Sequence, residues 1–95
     1  MSRIAYVNGR FIPHNQASVH VEDRGYQFAD GIYEVVMVLN GQAIDYDGHL
    51  KRLYKSMKSL KIEASFSESS LRIIIARMIR LNYVVNGTIY LQVTR

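Results

Sequence analysis

Ile32-Tyr33-Glu34-Val35-Val36-Met37-Val38-Leu39 is apolar at both sets of alternating positions, and Glu34 is its one charge. A strand apolar on both faces is expected to be covered on both, so this run predicts the central strand of a sheet. Asn40-Gly41 follows at once, a pair that tolerates the positive φ of a two-residue hairpin, and Gln42 to Tyr46 is expected to return as a shorter strand. Upstream, Ile4–Val7 and Arg10–Ile12 flank Asn8-Gly9 and read as another hairpin, which Pro13 ends. Residues 14–21 read as an extended connection. Glu22 to Gly31, polar and bracketed by Gly25 and Gly31, reads as a tight loop with at most one helical turn.

Downstream the period changes. Asp47 is placed to cap a helix beginning near Gly48, with Leu50, Leu53, Tyr54, Met57 and Leu60 as its apolar stripe. Ser65 and Glu68 stand at capping-box spacing before a second helix carrying Leu71, Ile74, Ile75, Met78 and Ile79. Thr88–Thr94 then alternates Ile89, Leu91 and Val93 against Tyr90 and Gln92, a period-two strand. The order predicts an α+β fold: a mostly antiparallel sheet with two helices packed on one face. A strand that runs to Arg95 would leave an unpaired edge, and the chain is expected to be truncated.

With 95 residues there is material for one small domain and a thin core. Hydrophobic residues at 48% and charged ones at 21% exclude a disordered or fibrous chain. No apolar run approaches the roughly 20 residues a bilayer needs. The stretch from Met1 to Phe11 lacks the apolar core of a signal peptide, so a cytoplasmic location and no membrane partner are expected. The absence of cysteine removes disulfides, thiolate nucleophiles and cysteine-bound metals.

The formal charge of +4 includes a cluster, Lys51, Lys55, Lys58 and Lys61, which holds all the lysines. Such a run is more often a solvated helix face than a nucleic-acid stripe, although Tyr46 and Tyr54 could supply stacking surfaces. A small basic nucleic-acid-binding module therefore stands as the alternative from another class. His14, His20 and His49 fit no metal-ligand spacing, and no metal is expected. No serine elbow, dinucleotide fingerprint or P-loop occurs. Arg52 falls in the first turn or two of a helix, where free N–H groups favour an anion and a guanidinium fork would complete a phosphate site. Glu34, a lone carboxylate in an apolar strand, must be paired, protonated or facing a cavity. Tyr33 points to the opposite side, where an ordinary core role is the usual one.

Glu22-Asp23-Arg24-Gly25-Tyr26-Gln27-Phe28-Ala29-Asp30-Gly31-Ile32-Tyr33-Glu34-Val35 resembles the signature of class IV aminotransferases, in the form shown by the D-amino-acid aminotransferase branch. Tyr6-Val7-Asn8-Gly9 is similar to the family's opening hairpin, and Asn40-Gly41 to its second turn. Asp47-Gly48-His49-Leu50-Lys51-Arg52-Leu53 is similar to the family's helix start, and Ile89-Tyr90-Leu91-Gln92-Val93-Thr94-Arg95 to its closing strand.

The resemblance covers essentially the whole chain, and it implies pyridoxal 5′-phosphate as cofactor. By position, Arg52 matches the arginine that binds the cofactor phosphate. Tyr33 matches the tyrosine lining the substrate pocket, and Val35 a neighbouring wall position. The Tyr33-Glu34-Val35 wording points to D-amino acids, with a 2-oxo acid as acceptor. Branched-chain aminotransferase and aminodeoxychorismate lyase are the alternatives within the class.

The resemblance further implies that residues 1–95 form the N-terminal domain of an enzyme that works as a homodimer. The Schiff-base lysine lies in a second domain, and none of the four lysines here matches it. No catalytic residue is therefore assigned to this chain, which alone should not transaminate. Arg52 and Tyr33 are expected to border one cofactor cavity.

Overall fold

A computed structural model describes residues 3–95; Met1 and Ser2, the start of the stretch read above for a leader, lie outside the described residues. Strands β1 (Ile4–Val7) and β2 (Arg10–Pro13) form a two-stranded antiparallel hairpin. Asn8 and Gly9 turn it with φ of 49° and 90°. Both values lie where a Cβ is disfavoured, which is why an Asn-Gly pair occupies the turn. After a 3₁₀ turn at His14–Gln16 and an extended stretch comes α1 (Arg24–Phe28), a five-residue helix. The Asp23 carboxylate caps it, accepting from the N–H groups of Gly25 and Tyr26.

The main sheet has three antiparallel strands in the order β4-β3-β5, with β3 at Gly31–Leu39, β4 at Gln42–Ala43 and β5 at Gly87–Thr94. β3 is central, as its apolar run predicts, but β4 is shorter than the sequence suggests and pairs only with Val38 and Leu39. Between Gly31 and Val36 the edge of β3 away from β5 has no strand beside it among the described residues. Two helices follow β4: α2 (Tyr46–Ser59) and α3 (Glu68–Leu81).

Both helix starts differ from expectation. α2 opens earlier than a cap at Asp47 would give: Asp45 holds the N-cap position at φ 53°, and Asp47 sits in the first turn, paired with Arg72. α3 is capped by Ser67 rather than Ser65, with Ser70 completing the reciprocal box. In a serine-rich run several registers satisfy the same pattern, and the helix takes the one whose Ser67 hydroxyl reaches the Ser70 amide.

The apolar stripes behave as their spacing requires. Leu50, Leu53 and Met57 of α2 meet Leu71 and Ile75 of α3 and Ile62 of the connection in one core, against which Ile32, Ile89, Leu91 and Val93 of the sheet pack. Leu60 lies at the end of the α2 stripe and stays exposed. Asn82, just past α3, ties the hairpin to this core: its amide accepts from the N–H of Ile4 and donates to the carbonyl of Ile4.

The sheet is covered on one face only, and here the expectation of a doubly covered β3 is corrected. Glu34, Val36 and Val38 are buried towards the helices, whereas Tyr33, Val35, Met37 and Leu39 are exposed on the other face, with Tyr90 beside them. An apolar run reports that both faces avoid water, but among the described residues both long helices lie on one side and nothing covers the other. Among the described residues no helix is long and apolar enough to cross a membrane.

Candidate functional site

The stripe Leu50, Leu53, Met57 fixes the rotation of α2, and the positions one residue earlier, His49 and Arg52, are thereby turned along its flank towards β3. There they meet Glu34. Arg52 donates through Nε to Oε2 at 2.8 Å and through Nη2 to Oε1 at 2.7 Å, a two-pronged pairing. The His49 ring reaches Oε1 through Nδ1, also at 2.7 Å. Glu34 is 6% exposed while the Arg52 side chain is 65% exposed, so the ion pair runs from the interior out to the surface. Nη1 and the outer hydrogen of Nη2 take no part in the pairing. Such a charge-assisted fork is the strongest of the side-chain pairings, and it answers the question the lone charge of β3 poses.

The hydrogen bonds from Arg52 hold the Glu34 carboxyl down at about 2, against the upward push of burial, with His49 adding its own downward pull. In the unfolded chain the same group titrates near 4.5. Its folded value is the lower one, so this contribution to stability is complete above pH 4.5 and is lost as pH falls towards 2. The slope for one such group is at most about 1.4 kcal/mol per pH unit. Urea unfolding of the parent chain and Glu34→Gln is expected to show a stability gap that narrows from pH 5 to pH 2.5. A gap constant with pH would contradict the ion pair.

Tyr33 and Val35 lie on the open face, two residues apart on β3. Tyr33 stacks on Tyr90 at 5.5 Å between ring centroids, and Val35 is paired in register with Tyr90. The sheet therefore separates Tyr33 from Arg52: adjacent residues 33 and 34 project to opposite faces, and Arg52 sits on the side of Glu34. Two surface hollows, of about 360 and 250 Å³, are lined by Tyr54, Met57 and the α2 end, and by Val19 to Val21 with Tyr26, and neither includes Arg52 or Tyr33. The helix start also differs from the sequence picture. Asp45 and Asp47 crowd it, with the Asp45 carboxylate 2.6 Å from where a Cβ on Gly48 would sit, so the positive charge available to an anion is that of Arg52 itself.

Asp23 and Asp30, at the two ends of the polar loop, are bound to the end of β5. The Asp23 carboxylate accepts from the Thr94 hydroxyl at 2.9 Å, and Asp30 accepts from Nε of both Arg24 and Arg95 at 2.8 Å. A Cβ on Gly31 would come within 2.7 Å of the Val93 carbonyl, so the strand can lie this close only against glycine. These pairings hold the loop and the first residues of β3 in place. The spacing of residues 23 and 94 gives no hint of them; the hint for His49 and Arg52 is their separation of three on one helix.

A model of the family Amino-transferase class IV matches residues 31–95. The chain belongs to the class IV aminotransferases. A D-alanine aminotransferase of Listeria innocua is 44% identical over 89 residues, which is 94% of this chain and 31% of that protein. One from Bacillus licheniformis is 44% identical over 93% of this chain and 31% of its own length. The class IV chain described here thus spans about a third of the length of these relatives. A branched-chain amino acid aminotransferase from T.th., solved with N-(5′-phosphopyridoxyl)-L-glutamate, superposes with a TM-score of 0.88 over 97% of this chain and 32% of its own, at 22% identity. The branched-chain aminotransferase of Thermoproteus uzoniensis, solved with norvaline, gives 0.79 over the same shares at 20% identity. At those identities the structures establish a shared α+β fold.

Proposed function

We propose that this chain is the N-terminal domain of a pyridoxal 5′-phosphate-dependent aminotransferase that moves the amino group of a D-amino acid, such as D-alanine, to a 2-oxo acid. The observation that carries this reading is 44% identity to a D-alanine aminotransferase across 94% of the chain. When bound, the cofactor supplies an electron sink for the pair freed at the substrate Cα. The donor chemistry here fits its phosphate: a surface guanidinium, anchored from behind by a buried carboxylate, presents N–H groups to an anion.

In this reading Arg52 binds the phosphate, Tyr33 receives the substrate carboxylate, and Val35 forms an apolar wall on the same strand face. The open face of β3 is then a lining of the substrate pocket, and the two-thirds of the relatives' length beyond this match supplies the second domain and its lysine. Lys51, Lys55, Lys58 and Lys61 are exposed along α2 and just beyond it, and we assign none of them a catalytic role. The enzyme works as a cytoplasmic homodimer, and this domain alone does not transaminate.

Assay of the complete enzyme with D-alanine and with L-leucine, each with 2-oxoglutarate, is expected to give turnover with D-alanine. Activity on L-leucine alone would assign it to the branched-chain type, and none on either to the lyase.

A further inference from the structure

The reading of Arg52 as a phosphate ligand leaves Glu34 and His49 without a task. Resting on that reading, we propose that both are positioning residues, which hold the Arg52 guanidinium in one orientation and leave a single direction of approach for the anion.

Glu34 stands in a row with Val36 and Val38, all facing the helices, and the two valines are fully buried. An apolar residue at position 34 would continue that row without the desolvation cost of a carboxylate, and buried ion pairs are often no more stabilising than the apolar residues that can replace them. What a valine would not do is fix a surface arginine. A solvated arginine samples many rotamers, and each must be given up when an anion is bound. Here the loss is taken on folding. Oε2 engages Nε and Oε1 engages Nη2, which sets the guanidinium plane and closes one edge of it.

His49, one turn before Arg52 on α2, bonds Oε1 as well and restrains rotation of the carboxylate about its own axis. Its ring is 19% exposed, so it also shields the pair from water on that side. The edge left open carries Nη1 and the outer hydrogen of Nη2. An anion can approach there, while the Nε–Nη2 edge is taken by the carboxylate.

Two measurements test this. In the complete enzyme without cofactor, labelled with ¹⁵N-arginine, the Arg52 Nε–H is expected to give a sharp resonance that exchanges slowly with water, broadened or lost in Glu34→Gln. A rapidly exchanging Nε–H in the unsubstituted chain would overturn the proposal, whatever the cofactor does. In the complete enzyme, dissociation constants are measured for pyridoxal 5′-phosphate and for pyridoxal, which lacks the phosphate. Glu34→Gln is expected to weaken the phosphorylated probe on the order of tenfold, the size of effect known for residues that orient a ligating group, with pyridoxal affinity unchanged. A ratio of the two constants unmoved by Glu34→Gln but moved by Arg52→Gln would end the positioning role and leave the cofactor reading standing. A ratio unmoved by either substitution would remove Arg52 from the phosphate, and this proposal with it.

Discussion

Truncating Leu53 to alanine is expected to remove about 2–5 kcal/mol of stability. Leu53 is fully buried at the centre of the cluster shared by α2, α3 and the sheet. A domain of this length has a total stability on the order of 5–14 kcal/mol and a thin core in which a cavity is poorly refilled. Urea unfolding followed by circular dichroism reads the change. A loss under about 1 kcal/mol would mean that α2 is not held on β3 as described. The same substitution carries a cost for the site, because the stripe containing Leu53 is what turns His49 and Arg52 towards Glu34.

Replacing Arg52 with glutamine is expected to weaken pyridoxal 5′-phosphate binding by the complete enzyme on the order of a hundredfold, while affinity for pyridoxal changes little. Glutamine keeps a polar, hydrogen-bonding group but loses the charge and the fork, so the effect isolates the guanidinium. It also leaves Glu34 as a buried carboxylate with only His49 beside it. Comparing thermal unfolding with and without the cofactor separates that cost from the binding loss. Equal weakening of both probes would show that the substitution acts through the fold and not through the phosphate.

Much of this architecture is legible in the residues themselves. The turns at Asn8-Gly9 and Asn40-Gly41, the two helical stripes and the alternation of β5 depend on local periodicity, and the structure returns them nearly residue for residue. What misleads is chemistry with several equivalent solutions or with distant partners. Serines at 65, 67, 69 and 70 each offer a cap, and only Ser67 and Ser70 form the reciprocal pair. The apolar outer face of β3 says that water is avoided there and not that this chain supplies the cover.

The candidate site divides in the same way. The need of Glu34 for a partner is written in its isolation within β3, but the partner's identity depends on how α2 is rotated, which the core decides. The shared cavity expected for Arg52 and Tyr33 is not formed by these residues alone: Tyr33 stands on the open face of β3, and Arg52 on the side of Glu34. Likewise the grip of Thr94 and Arg95 on Asp23 and Asp30 links positions 71 and 65 residues apart, beyond the reach of any local pattern.

The central claim is that Arg52, held by Glu34, is the phosphate anchor of the cofactor. A structure of the complete enzyme with pyridoxal 5′-phosphate bound tests it most directly. A phosphate oxygen is expected about 2.7–2.9 Å from an Nη of Arg52, with Nε and Nη2 still on the Glu34 carboxylate. A phosphate held by other groups, with the Arg52 guanidinium facing open solvent, would contradict it.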